Sequence, residues 1–126
     1  MVGSPEAFKK RTQQFALRVI RLVERVPRGT PGEIIGKQLL RSATSVGANY
    51  RAACRARSPS EFCSKMGIVE EEADESIYWM ELLVEAEIFR KELLSALIQE
   101  GNEILSMVVA SIRTARRRKQ GRPMHP

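Results

Sequence analysis

RSATSVGANYRAACRARSPSEF, residues 41–62, holds the junction that decides the fold. Its first part contains no proline and reads as helix. Ser42, Ala43, Ser45, Gly47, Ala48, Ala52 and Ala53 alternate there with Arg41, Arg51, Arg55 and Arg57, which joins a surface suited to close helix packing to a row of positive charge. Gly47 in mid-helix costs about 1 kcal/mol relative to alanine, so a close contact is expected to offset it. Ser58-Pro59-Ser60-Glu61 then starts a new helix. A hydroxyl stands at the N-cap, proline at N1, where its missing N–H costs nothing, and glutamate at N3.

The same chemistry recurs on the N-terminal side. Ser4-Pro5-Glu6 and Thr30-Pro31-Gly32-Glu33 each set a hydroxyl before proline, and the second, like the Ser58 group, predicts a capping box. Apolar periodicity fills in the rest. A first helix over 5–26 presents Phe8, Thr12, Phe15, Val19, Leu22 and Val26, and a second over 31–55 presents Ile35, Leu39, Ser42, Val46, Asn49 and Ala53 beside Leu40, Ala43, Gly47 and Tyr50. A third over 59–89 carries Phe62, Met66, Val69, Ala73, Ser76, Met80 and Leu83 on one stripe. Ile68, Trp79, Leu82, Ala86 and Phe89 form a second stripe, which predicts two packing partners. No proline or cap marks the next boundary. It is placed near Arg90 and Lys91, because one helix over 59–118 would run about 90 Å and could not fold back on this core. A fourth helix over 92–118 presents Leu94, Leu97, Gly101, Ile104, Val108, Ser111 and Ala115.

The expected architecture is all-α: one up-down-up-down antiparallel four-helix bundle over 1–118, followed by a flexible basic tail over 119–126. Two cysteines make no disulfide framework, and the start MVGSPEAFKK has no apolar signal region. No apolar run is read as approaching the roughly 18 residues a membrane span needs. These features predict a soluble cytoplasmic protein with no membrane partner.

The net charge of +6 conceals a division. Residues 1–57 hold 12 Lys and Arg against 3 Asp and Glu; residues 58–112 hold 3 against 12; residues 113–126 hold 6 against none. Such asymmetry predicts basic surfaces that meet a polyanion and an acidic segment that pairs inside the chain or between subunits. The candidate nucleic-acid contacts are Arg18, Arg21, Arg25, Arg28, Lys37, Arg41, Arg51, Arg55, Arg57, Arg113, Arg116, Arg117, Arg118 and Lys119, and Arg11 belongs to the same basic array. Arginine outnumbers lysine among them, as phosphate recognition favours.

Other chemistries have less to stand on. Glu72 and Glu75 in the run EEEADE share a helix face, as in carboxylate metal sites, yet the single histidine, His125, lies in the tail and no ligand set accompanies them. No nucleophile with a base and no phosphate-binding glycine loop is present, so no catalytic residue, metal or cofactor is expected. Cys54 and Cys63 read as small apolar residues, with a redox role as the alternative. Ser42, Gly47, Asn49, Tyr50, Glu72, Tyr78 and Trp79 are the candidates for packing or assembly.

QLLRSATSVGANYRAACRARSPSEF (38–62) followed by KMGIVEEEADESIYWMELL (65–83) resembles the bacterial four-helix-bundle proteins encoded within intervening sequences of 23S ribosomal RNA genes. FALRVIRLVERVP and VASIRTAR resemble that family too, so the resemblance spans about residues 8–116. It implies a cytosolic bundle that assembles as a ring-like homopentamer without catalytic residues. It also implies a relation to the accessory variability determinant of diversity-generating retroelements, a basic pentamer that binds nucleic acid and a reverse transcriptase. Arg41, Ser42, Ser45, Asn49, Arg55, Ser58, Glu61, Phe62, Lys65, Glu71, Glu72, Tyr78 and Trp79 carry the two central motifs. Where relatives commonly have a glutamate two or three residues after the asparagine of the Ala-Asn pair, this chain has Ala52 and Ala53; if that glutamate pairs with a motif arginine in the relatives, the arginine is expected to be freer here. The expectation is a non-enzymatic nucleic-acid-binding scaffold or accessory factor. The alternative is a protein-interaction scaffold whose arginines pair with acids on neighbouring subunits or a partner protein.

Overall fold

The structure is a computed structural model that describes residues 3–119, the side chain of Lys119 excepted. The expected tail from Gln120 onward, His125 included, lies outside the described residues. Four helices follow in order: α1 (Pro5–Val23), α2 (Pro31–Ala53), α3 (Pro59–Glu85) and α4 (Lys91–Lys119), with no strand among the described residues. Consecutive helices pack on each other, and α1 meets α4 along the sparsest seam to close the bundle. Gly47 lies against Thr12 while Gly36 lies against Val23 and Val26, so α1 and α2 run in opposite directions. On the other side of the bundle, Gly101 of α4 lies against Ile77 of α3 and Phe15 of α1.

Each Ser-Pro or Thr-Pro pair begins a helix, but by different bonds. Ser4 and Ser58 cap as expected, their hydroxyls accepting from the amides of Ala7 and Glu61 at 3.1 Å. Thr30 does not cap. Its hydroxyl donates to the Pro27 carbonyl at 2.8 Å, and the Glu33 carboxylate accepts from the Gly29 amide at 3.0 Å, tying down the loop instead. Glu61 likewise accepts from the amide of Arg57, one residue before the cap. The glutamates therefore fasten the residue that enters each turn, and neither capping box closes in full.

The first three helices stop earlier than periodicity predicts, whereas α4 runs through Lys119. After Val23 the chain tightens through Arg25 N–H to Leu22 and Val26 N–H to Val23, and after Ala53 through Arg55 to Ala52 and Ala56 to Ala53. Both are three-residue bonds that satisfy a helix end with a tighter turn. The third helix ends at Glu85, not Phe89, for a reason invisible in composition. Glu87 adopts φ +60°, and the amides of Glu87 and Ile88 donate to the carbonyls of Val84 and Leu83. This is the paired-bond helix stop normally built on glycine, here carried by glutamate. Ala86 and Phe89 consequently lie in the turn, and the second stripe reduces to exposed Ile68 with half-buried Trp79 and Leu82. Left-handed backbone disfavours glutamate by roughly 1–2 kcal/mol, partly offset in glycine by its greater freedom when unfolded. Glu87→Gly is therefore expected to raise the urea midpoint by the equivalent of about 0.5–1 kcal/mol; an unchanged or lower midpoint would contradict this account of the turn.

The core follows the predicted stripes. Phe8, Phe15, Val19, Leu39, Val46, Met66, Val69, Met80, Leu83, Leu94, Ile104 and Val108 are all fully buried. Thr12, Ser42 and Ser76 are buried polar residues with local partners: Thr12 donates to the Lys9 carbonyl, Ser42 to the Leu39 carbonyl, and Ser76 reaches both the Glu72 carbonyl and the Ser42 hydroxyl. One expectation needs correction. An 18-residue window of α4 reaches a mean hydropathy of 1.2, long and apolar enough by composition to cross a membrane. Leu94, Leu97, Ile104, Val108 and Ile112 of this helix are buried in the bundle, yet only 28% of the window is buried: along α4 Leu93 is exposed and Ile98, Leu105, Met107 and Val109 are half-buried.

Candidate nucleic-acid interface

The small residues of α2 do two jobs. On the side facing α1, a Cβ built on Gly47 would stand 3.1 Å from the Thr12 hydroxyl and 3.6 Å from the Thr12 carbonyl carbon, so glycine sets how closely the helices approach. On the outer side, Thr44, Gly47 and Ala48 with Ala16 of α1 leave the seam shallow. The result is an open groove of about 550 Å³, which Glu6, Lys9, Lys10 and Gln13 border from α1, Arg51 from α2 and Arg55 from the turn that follows it. Four cations thus flank one trough with a single carboxylate, Glu6, which pairs with Lys9 at 3.4 Å. Lys9 and Lys10 were not among the candidates read from sequence. Their place becomes legible only once α1 and α2 are set antiparallel in the register that puts Thr12 on Gly47.

Two predicted cations are spoken for. Arg41 bridges to α3, with both Glu72 carboxylate oxygens 3.2 Å from its Nη1 and with Glu75 as a second partner. Arg11 crosses from α1 to α4. Its Nε and Nη2 donate to the two Glu100 oxygens at 2.8 Å, Nη2 also donates to Glu103 at 2.8 Å, and Nη1 donates to Met107 Sδ at 3.1 Å. These bonds hold the Glu100 carboxyl below the ordinary carboxylate range, and the same partner raises the Arg11 guanidinium further. Among the described residues, the ion pairs engage only Lys9, Arg11 and Arg41 as cations.

A carboxyl with a lowered pKa stabilises the fold above its unfolded pKa and loses that contribution as pH falls through the folded value. Compared with wild type, Glu100→Gln should therefore be less stable at neutral pH. The gap should narrow only as pH falls below about 4.5, the ordinary value, in paired urea melts. A gap that stayed constant into stronger acid would mean that the Arg11 pair does not bias titration.

The remaining candidates divide by position. Arg18, Arg21, Arg25 and Arg28 are exposed along α1 and its following loop, and Lys37, Arg51, Arg55 and Arg57 along α2 and the next turn. Arg113, Arg116, Arg117 and Arg118 are exposed at the end of α4; the Lys119 side chain lies outside the described residues. Tyr50 is buried edge-on against Phe8, ring centroids 4.7 Å apart, and burial together with the neighbouring Cys54 thiol pushes its hydroxyl well above its usual pKa. Asn49 is half-buried and donates to the Ser45 carbonyl at 2.9 Å. Tyr78 is exposed and meets half-buried Trp79 edge-to-face at 5.0 Å; the Trp79 indole N–H is buried without an acceptor among the described residues. Cys54 and Cys63 are free and half-buried. Among the described residues no three His, Cys, Asp or Glu side chains converge as a metal site.

The sequence profile of the 23S rRNA-intervening sequence proteins matches residues 7–110, which takes in most of all four helices. The chain belongs to that family. This 23S rRNA-intervening sequence protein is also similar to a crystal structure of a protein with unknown function from the S23 ribosomal protein family of Bacteroides thetaiotaomicron. The two share 32% identity and superpose with a TM-score of 0.80, over 86% of this chain and 97% of that one. No similar sequence is found among curated proteins. The family match joins the groove-forming segments of α1 and α2 to the acidic α3 in one unit, and the C-terminal arginines from Arg113 to Arg118 lie beyond it.

Proposed function

We propose that this protein is a non-enzymatic nucleic-acid-binding scaffold that works in the cytoplasm as a homopentamer. The observation that carries the reading is the exposed cation array of α1 and α2: acids inside the chain take up Arg11 and Arg41 and leave Arg18, Arg21, Arg25, Arg51 and Arg55 to solvent. Arginine in such density offers planar donors matched to phosphate, and nucleic acid supplies phosphates in a repeating row. Assembly draws support from exposed Ile68 and Tyr78 and from the buried Trp79 N–H, which has no acceptor among the described residues. By analogy with retroelement accessory proteins, a reverse transcriptase is a proposed protein partner.

The test is charge-neutral replacement of the exposed α4 cluster, Arg116→Gln with Arg117→Gln and Arg118→Gln. Affinity for labelled RNA or DNA should fall and its salt dependence flatten; affinity equal to wild type at every salt concentration would count against a share for this cluster. A second reading has its own observation, because Arg41 already pairs with α3 acids. If the arginines are assembly residues, Arg41→Ala or Arg55→Ala changes the oligomer size in gel filtration and leaves nucleic-acid affinity untouched.

A further inference from the structure

We infer that the α1/α2 groove is the seat of a nucleic-acid strand and that it grips the sugar–phosphate backbone without reading bases. This rests on the nucleic-acid reading above and assigns it a place. The groove draws Lys9 and Lys10 of α1 on one bank and Arg51 of α2 with Arg55 of the following turn on the other, so a bound chain of phosphates is held from both sides. Arg51 ends the exposed side of α2 and Arg55 follows in the turn that closes the helix, so both guanidinium groups are carried on the same bank. Its floor is Ala16, Gly47 and Ala48, small enough to let a backbone lie close to the helices.

The same lining argues for indifference to sequence. No aromatic side chain borders the groove, so the base-stacking platform that single-strand readers use is missing from it. Its uncharged hydrogen-bonding side chains are Thr12, which is buried and bonded to the Lys9 carbonyl, Gln13 and Thr44, too few to distinguish four bases along a site. Glu6 is the one repulsive group. Its pairing with Lys9 at the start of α1 leaves Lys10, Arg51 and Arg55 without a carboxylate partner among the described residues.

The experiment compares wild type with three variants of the full chain: Arg51→Gln/Arg55→Gln, Lys9→Gln/Lys10→Gln and Ala48→Glu, the last placing a carboxylate on the groove floor. Each substituted side chain is exposed or half-buried, and circular dichroism melts check that the fold persists. Binding to labelled RNA and duplex DNA of two unrelated sequences is followed against salt. Each double variant should lose roughly 10- to 100-fold in affinity at 0.1 M salt and about two units of salt slope, equally for both sequences. Ala48→Glu should lose about tenfold or more by the same electrostatics. Wild-type binding that all three variants retain would overturn the groove while sparing the nucleic-acid reading. A loss confined to one sequence would overturn backbone recognition, and a wild type that binds neither polymer would overturn both.

Discussion

Phe15→Ala is expected to destabilise the bundle by about 3–5 kcal/mol, the range for truncating a buried aromatic ring. Phe15 is 1% exposed, and its ring edge lies against α4, 3.6 Å from a Cβ built on Gly101. Ile77 of α3 meets that same position at 3.1 Å, so three helices converge on one point. Removing the ring opens a cavity that none of the three can fill without moving a backbone. The loss is a large share of the roughly 5–15 kcal/mol that holds an ordinary domain folded. Urea denaturation should show the midpoint fall with the slope unchanged, and a melting temperature lower by on the order of 10–20 °C should accompany it. A loss below about 1 kcal/mol would place Phe15 outside the core junction.

Gly101→Leu attacks the same junction from the opposite side. Leucine is the better helix former by about 1 kcal/mol, yet its side chain would enter space held by Ile77 and Phe15, and overpacking of this kind typically costs about 1–3 kcal/mol. Net destabilisation is the expected result. The pair should also be non-additive: with Phe15→Ala in place, the leucine occupies part of the vacated volume, and the double variant should be at least about 1 kcal/mol more stable than the two single losses predict. Additivity within about 0.5 kcal/mol would show that residues 15 and 101 do not share that space.

The sequence carried most of the fold because the fold is written in local signals. Ser4-Pro5, Thr30-Pro31 and Ser58-Pro59 start three helices, and the stripes through Phe15, Val46, Met80 and Ile104 are buried as their spacing requires. What it hid was non-local or unusual in residue type. The stop at Glu87 escapes because glycine ordinarily marks left-handed backbone, and so α3 was read four residues too long. Thr30 carries the right hydroxyl for a cap, but Pro27 offers a competing carbonyl that only the loop's path brings near.

The candidate site was legible in outline and not in membership. A charge row on one helix says nothing about partners 89 or 31 residues away, and those separations decide that Arg11 goes to Glu100 and Arg41 to Glu72. The antiparallel register of α1 on α2 adds Lys9 and Lys10 instead. Smallness lets Gly47 meet Thr12 and keeps the adjoining groove shallow, Arg41 serves the α2–α3 seam, and Arg51 and Arg55 are left facing outward over that groove.

The most direct measurement is the affinity of the purified wild-type protein for structured RNA, single-stranded DNA and duplex DNA across a salt series, with oligomer mass recorded in the same buffers. The expected result is binding by a pentamer that weakens steeply and linearly in log salt, with a slope set by the phosphates its cations neutralise. A stable oligomer that binds none of the three at low salt would contradict it and assign the exposed arginines to protein contacts.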